Sequence, residues 1–232
     1  LSAGQQRLAA ELEADVNALA VGIGERTVFD IKTLRATERF LARQLREAGY
    51  TVQFDGYESM GETVNNLVVT LPGSSDPDRI IVVGAHYDTA DGTPGANDNA
   101  SGVAGVLALA RRFANAQPQR TIRFVCFVNE EPPFFSKPEQ GSRVYAERCR
   151  AAGEQVEAMV LECIGCFDDR PDSQDYPLPP LRWLFGDRGN FIGFVGNVSS
   201  RRLVHEMIGT FRAEVPFPSE GLAAPPWVKG IG

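Results

Sequence analysis

With 232 residues, 43% of them hydrophobic, the chain is long enough for one sizeable α/β domain and short for two. Its formal charge of −7 argues against nucleic acid or an anionic membrane as partner, since both select basic surfaces. No apolar run approaches the about 20 residues that a membrane helix needs, and four cysteines are too few for a disulfide scaffold.

The chain opens on Leu1 without a basic-then-apolar leader, so either a targeting segment has been removed or the sequence is an excerpt. Leu8, Leu12, Val16 and Leu19 recur at three- and four-residue spacing and predict a first helix. A second covers about Lys32 to Ala48 and stops at Gly49. "TVQFDGYE" and "TVNNLVVTLP" read as strands joined through Gly61, with "GSSDPDR" as a turn. "IIVVGAH" is a continuous apolar run, the pattern of a strand buried on both faces. A helix from about Ala100 to Phe113 follows, then the strand "RTIRFVCFVN", in which Cys126 reads as a small buried hydrophobe. A helix fits Pro138 to Ala152, and "EAMVLECIG" reads as another buried strand. Cys163 and Cys166, in "LECIGC", have zinc-knuckle spacing but lack a second pair. A Pro-rich loop, the strand "FIGFVGN" and a helix opening at a serine cap complete the chain. Strands alternating with helices predict an α/β layered domain around a largely parallel sheet, with no internal repeat and no dividing linker.

Reactive groups in such sheets collect at the carboxyl ends of the strands. Three strand patterns end at His86 and Asp88, at Glu130 and Glu131, and at Glu162, while Asp98 sits in the loop after the first. Singly, each has an ordinary reading: a surface histidine, a solvated Glu pair, a turn-forming Asp. Their coincidence, with no basic residue beside them in sequence, changes that reading. One imidazole among several carboxylates cannot be buried without an offsetting cation, and the set suits one or two zinc ions with an open position for water. There is no G-x-S-x-G elbow and no phosphate loop, and "GANDNASG" lacks the spacing of a nucleotide turn.

The ordered motifs "GAHYDT…PGANDNASGVAGVLALAR", "FVNEE…QGSRVYA" and "MVLECIG" resemble the co-catalytic zinc aminopeptidases, a family that includes glutamate carboxypeptidase and glutaminyl cyclase. The resemblance covers about Leu34 to Gly165. It implies a three-layer α/β/α fold around a mostly parallel mixed sheet, the phosphorylase/hydrolase-like arrangement, with residues 1–232 as a single zinc peptidase domain lacking its carboxyl-terminal portion. By position, His86 and Glu162 would bind a first zinc, Glu131 a second, and Asp98 would bridge them. Asp88 would orient His86, and Glu130 would be the general base. Glu162 stands where the family has Asp, which implies altered geometry without loss of metal. Asn129 replaces a smaller residue and carries little weight. The family's further histidine on the second zinc has no counterpart: His205 lies mid-helix on a polar stripe, and the chain stops at "APPWVKGIG". The implied activity is hydrolysis of amino-terminal residues from peptides, outside the cytoplasm (extracellular or periplasmic), with this chain possessing an incomplete second site. A cytoplasmic setting is the alternative, and the sequence sets no oligomeric state. Two other functions stay open, a single-zinc glutaminyl cyclase and a non-catalytic partner-binding module on the same fold. Retention of Glu130 speaks against the second.

Overall fold

The computed structural model describes residues 1–176 and 178–225. Helix α1 (Ala3–Asn17) starts at a capping box, Ser2 Oγ accepting the Gln5 amide while the Gln5 side chain accepts that of Ser2. It runs on through a wider turn, Ala18–Ile23. Helix α2 (Ile31–Glu47) is capped by the Asp30 carboxylate, which accepts from Lys32 and Thr33 amides. Strands β1 (Gln53–Ser59), β2 (Glu62–Leu71), β3 (Asp76–His86), β4 (Arg120–Phe127) and β5 (Gln155–Val160) form one sheet in the order β1-β2-β4-β3-β5. β1–β2 and β2–β4 are antiparallel, whereas β3 pairs in parallel with both β4 and β5. Helices α3 (Gly102–Phe113) and α4 (Gly141–Ala151) make the parallel crossovers.

Period-two alternation explains the layering. Leu67 and Val69 of β2, Val83 and Ala85 of β3, and Ile122, Phe124 and Cys126 of β4 face one core with Leu34, Leu41 and Leu45 of α2 and Leu107 of α3. The residues between them, Val68, Ile80, Val82, Val125 and Phe127, face a second core with Tyr145 and Cys149 of α4. A one-residue slip in any central strand would exchange the two sets, so the register is firmly specified. The result is the mostly parallel mixed sheet between helical layers that the sequence predicts.

Two expectations need correction. β5 reads as a strand buried on both faces, but it lies at the end of the strand order and most of its residues are exposed. "GSSDPDR" reads as a turn, yet β3 already begins at Asp76. The chain forms two compact units, Leu1–Gly165 and Cys166–Gly232. The second unit holds helix α5 (Pro179–Phe185), β6 (Ile192–Asn197), α6 (Arg201–Glu214) and β7 (Ser219–Ala224). Its two strands pair in parallel, and Phe194 of β6 meets Phe211 of α6 with ring centroids 5.3 Å apart. Of the terminal "APPWVKGIG", residues 226 onward lie outside the described residues. Among the described residues, no helix is long and apolar enough to cross a membrane.

Candidate metal centre

Sheet register brings the donor residues together. Gly84 of β3 pairs with Val160 of β5, so His86 and Glu162, each two residues further on, end side by side. His86 pairs with Phe127 of β4, and the Tyr87 amide donates to the Phe127 carbonyl at 2.8 Å, which places Glu130 and Glu131 just beyond. Asp98 arrives from the β3–α3 loop.

The His86 ring is 2% exposed. Its Nε2 lies 3.0 Å from Asp98 Oδ1, 3.3 Å from Glu162 Oε1 and 3.9 Å from Glu130 Oε2. Its Nδ1 faces the Asp88 carbonyl oxygen at 3.2 Å and Asp88 Oδ1 at 3.4 Å. The other oxygen of buried Asp88 accepts the backbone amides of Glu130 at 2.9 Å and Glu131 at 3.0 Å. One carboxylate thus binds the ends of two strands. Its Oδ1 is left as a buried acceptor without a hydrogen bond.

Two trios have ligand atoms within 4.8 Å of one another: His86, Asp98 and Glu162, and His86, Glu130 and Glu131. All six residues expected at the site converge there. Asp98 belongs to the first trio and raises the pKa of Glu131 through its charge, second to the effect of burial. Burial disfavours protonation of His86, but the surrounding carboxylates of Asp88, Asp98 and Glu162 outweigh it and hold the imidazole above its ordinary range. The hydrogen bond from His86 in turn holds Asp98 below the ordinary carboxylate range. Burial pushes Glu130 up to about 7, with Asp88, Glu162 and Glu131 adding to the rise and His86 opposing it.

This arrangement fits a divalent cation. A single proton on Nε2 cannot satisfy three carboxylates, whereas a cation attracts them all. With Nε2 engaged, the ring proton belongs on Nδ1, facing both Asp88 oxygens. The half-exposed side chains of Asp98 and Glu162 leave the centre open on one side.

Several contributors were not legible in sequence. Asn99 Nδ2 donates to Glu162 Oε2 at 3.0 Å and to the Leu161 carbonyl at 2.9 Å, fixing the end of β5. Its Oδ1 accepts the Gly102 amide at 3.0 Å, so Asn99, and not the adjacent Ser101, caps α3. The Ser101 hydroxyl instead donates to the Asn97 carbonyl and accepts the Ile164 amide. Asn129 is 1% exposed, has φ of +57° and donates to Ser59 Oγ at 3.1 Å. Asn tolerates that left-handed turn better than most side chains, and it sits where the chain must turn to separate Glu130 from Glu131. A basic residue does approach the carboxylates: Arg26, fully buried, feels the charges of Asp88 and Asp98. It comes from the turn before α2, too distant in sequence for any motif to include it. His205 is exposed on α6, as its position predicts.

Comparison with known proteins agrees with this geometry. Residues 66–174, which contain all six residues of the centre, match peptidase family M28. Protein YfbL of Escherichia coli (strain K12) is 33% identical over 230 residues, 95% of this chain and 70% of that one. Further curated relatives align over 29–51% of this chain, which spans 18–26% of their length. Among solved structures, Tannerella forsythia glutaminyl cyclase has a TM-score of 0.65 at 20% identity, over 92% of this chain and 76% of that one. A leucine aminopeptidase precursor from Bacteroides thetaiotaomicron VPI-5482 has a TM-score of 0.62 at 20% identity, over 93% and 77%. Identity to YfbL through nearly the whole chain and the matched block around the donors make this protein a metallopeptidase of peptidase family M28.

Proposed function

We propose that the protein is a zinc-dependent exopeptidase that hydrolyses amino-terminal residues from peptides. His86, Asp98 and Glu162 would hold one zinc, and Glu131, sharing Asp98, a second. The observation that carries this reading is the convergence of three carboxylates on Nε2 of one buried imidazole whose other nitrogen faces Asp88. Bound there, zinc supplies Lewis acidity toward a peptide carbonyl and raises the acidity of water.

The chain's own groups do the rest. Asp88 keeps the imidazole proton on Nδ1 and, through the amides of Glu130 and Glu131, holds the two glutamates at the strand end. Glu130 takes a proton on its carboxylate from the attacking water and returns it to the leaving amine. Its carboxyl, 3.9 Å from His86 Nε2 at the edge of the site, is placed for both transfers.

The test uses zinc-reconstituted protein and aminoacyl p-nitroanilides. Glu130→Gln should retain its zinc and lose about 10²–10⁴-fold in kcat. Undiminished turnover by that variant would reject Glu130 as the base. A second reading, the single-zinc glutaminyl cyclase, is favoured by one fact: both donor trios draw on the same histidine. Zinc per chain and mass spectrometry of a peptide with amino-terminal Gln separate the two. Loss of ammonia from the peptide marks the cyclase, and loss of a residue the peptidase.

A further inference from the structure

Arg26 is buried as completely as any side chain in the first unit. Its guanidinium donates to five backbone carbonyls: Tyr87 at 2.8 Å, Pro94 at 2.7 Å, Gly95 at 3.0 Å, Gly24 at 2.7 Å and Leu19 at 3.2 Å. Its own backbone closes the same contact, the amide donating to Thr89 Oγ1 and the carbonyl accepting the Thr89 amide, both at 3.0 Å. Burial lowers its pKa to about 10, with Asp88 and Asp98 opposing the drop, so it stays charged at neutral pH.

The identity of those carbonyls is informative. Tyr87 lies between His86 and Asp88, whereas Pro94 and Gly95 lead directly into the turn that carries Asp98. Gly95 has φ of +56°, and a Cβ there would stand 2.4 Å from the Asp98 carbonyl oxygen and 2.8 Å from Arg26 Nη2. The loop is therefore drawn tightly around the guanidinium. A rigid planar fork bonded to both segments fixes how far Asp98 stands from His86.

We infer that Arg26 is a positioning residue for the metal centre: it sets the separation of the His86 strand end from the Asp98 loop, and with it the affinity for zinc. This inference rests on the zinc reading above. The plain alternative is that Arg26 only secures the segment from Leu19 to Gly24. Lysine has three donors on a flexible stem and cannot serve five carbonyls.

The experiment measures zinc affinity by chelator competition, alongside thermal melting, for the parent protein, Arg26→Lys and a control. The control is Arg111→Lys, which breaks another partly buried arginine clamp, to Asp15 and Gln44, with no contact to any donor. Arg26→Lys should bind zinc about 10–100-fold more weakly, the usual scale for groups that orient metal ligands. Arg111→Lys should keep the parental affinity even where it melts lower. Parental affinity in Arg26→Lys, or an equal loss in Arg111→Lys, would overturn the inference. Should Arg26→Lys fail to fold, Thr89→Val removes one acceptor of the same contact and should weaken zinc binding, with Thr89→Ser restoring it. No change in Thr89→Val would then overturn the inference. A parent protein that takes up no zinc would instead sink the metal reading itself, before any variant is compared.

Discussion

The Asp88 carboxylate divides its two oxygens between backbone and imidazole, and the division makes a prediction. In Asp88→Asn, an amide oxygen can still accept from Glu130 and Glu131, which turns the NH2 group toward His86 Nδ1. A donor there favours the tautomer with its proton on Nε2, the nitrogen that would hold the proposed zinc. Zinc affinity should fall about 10–100-fold while the melting temperature of the metal-free protein changes little. An unchanged dissociation constant would show that the Asp88 carbonyl alone fixes the tautomer. Of the residues at this centre, those with metal-binding chemistry were legible because each follows the end of an apolar strand, Asp98 from the loop after β3. Asn129, Asn99 and Arg26 were not. What they contribute, a left-handed turn, a staple to Glu162 and a set of carbonyl bonds, depends on neighbours far away in sequence.

Helix α3 meets the end of β5 where Gly102 passes Leu161. A Cβ at Gly102 would lie 2.4 Å from the Leu161 carbonyl and 2.4 Å from Asn99 Oδ1. Gly102→Ala should therefore push the helix from the strand, at about 1–3 kcal/mol. For a chain of this size each kcal/mol lowers the melting temperature by about 2–4 °C. Because Asn99 also holds Glu162, zinc affinity should fall with it, and a variant that melts and binds like the parent would rule out this coupling. Elements were legible to the degree that their apolar pattern was strong. β3 and β4 stand out by the apolar runs that end them, Ile80 to Ala85 and Phe124 to Phe127. β5 has the composition of a central strand but lies outermost, and position within a sheet is not written in one strand's own residues. α5 is a single Pro-led stretch of seven residues and β7 is rich in Gly and Ala, so neither offers a period long enough to read.

For the whole molecule, the carboxyl cluster links stability to pH and to metal. Burial raises Glu130 to about 7 from 4.5 and also raises Glu131, so the native metal-free protein binds these protons more tightly than the unfolded chain does. The stability they contribute is full below the unfolded value of 4.5 and is lost as pH climbs through about 7. Zinc relieves that loss by taking the place of the protons. The rise in melting temperature on adding zinc should thus grow between about pH 5 and pH 8, and an increment that stays flat would show the glutamates to be uncoupled from the metal. The layered sheet was legible in the alternation of strands and helices. The division after Gly165 was not, because the polar, Pro-rich stretch that follows it reads equally well as a loop inside one domain.

Both donor trios contain His86, and an imidazole nitrogen has one lone pair to give. On the two-zinc reading proposed above, the ions would therefore not enter as equals. The ion that claims Nε2 leaves the other with oxygen donors from this chain, which grip zinc less firmly. A titration against buffered free zinc should rise in two separated steps, the carboxylate-held ion entering last and leaving first. If catalysis needs both, ambient zinc works as a dial on the rate, and the protein can be idle while still half loaded.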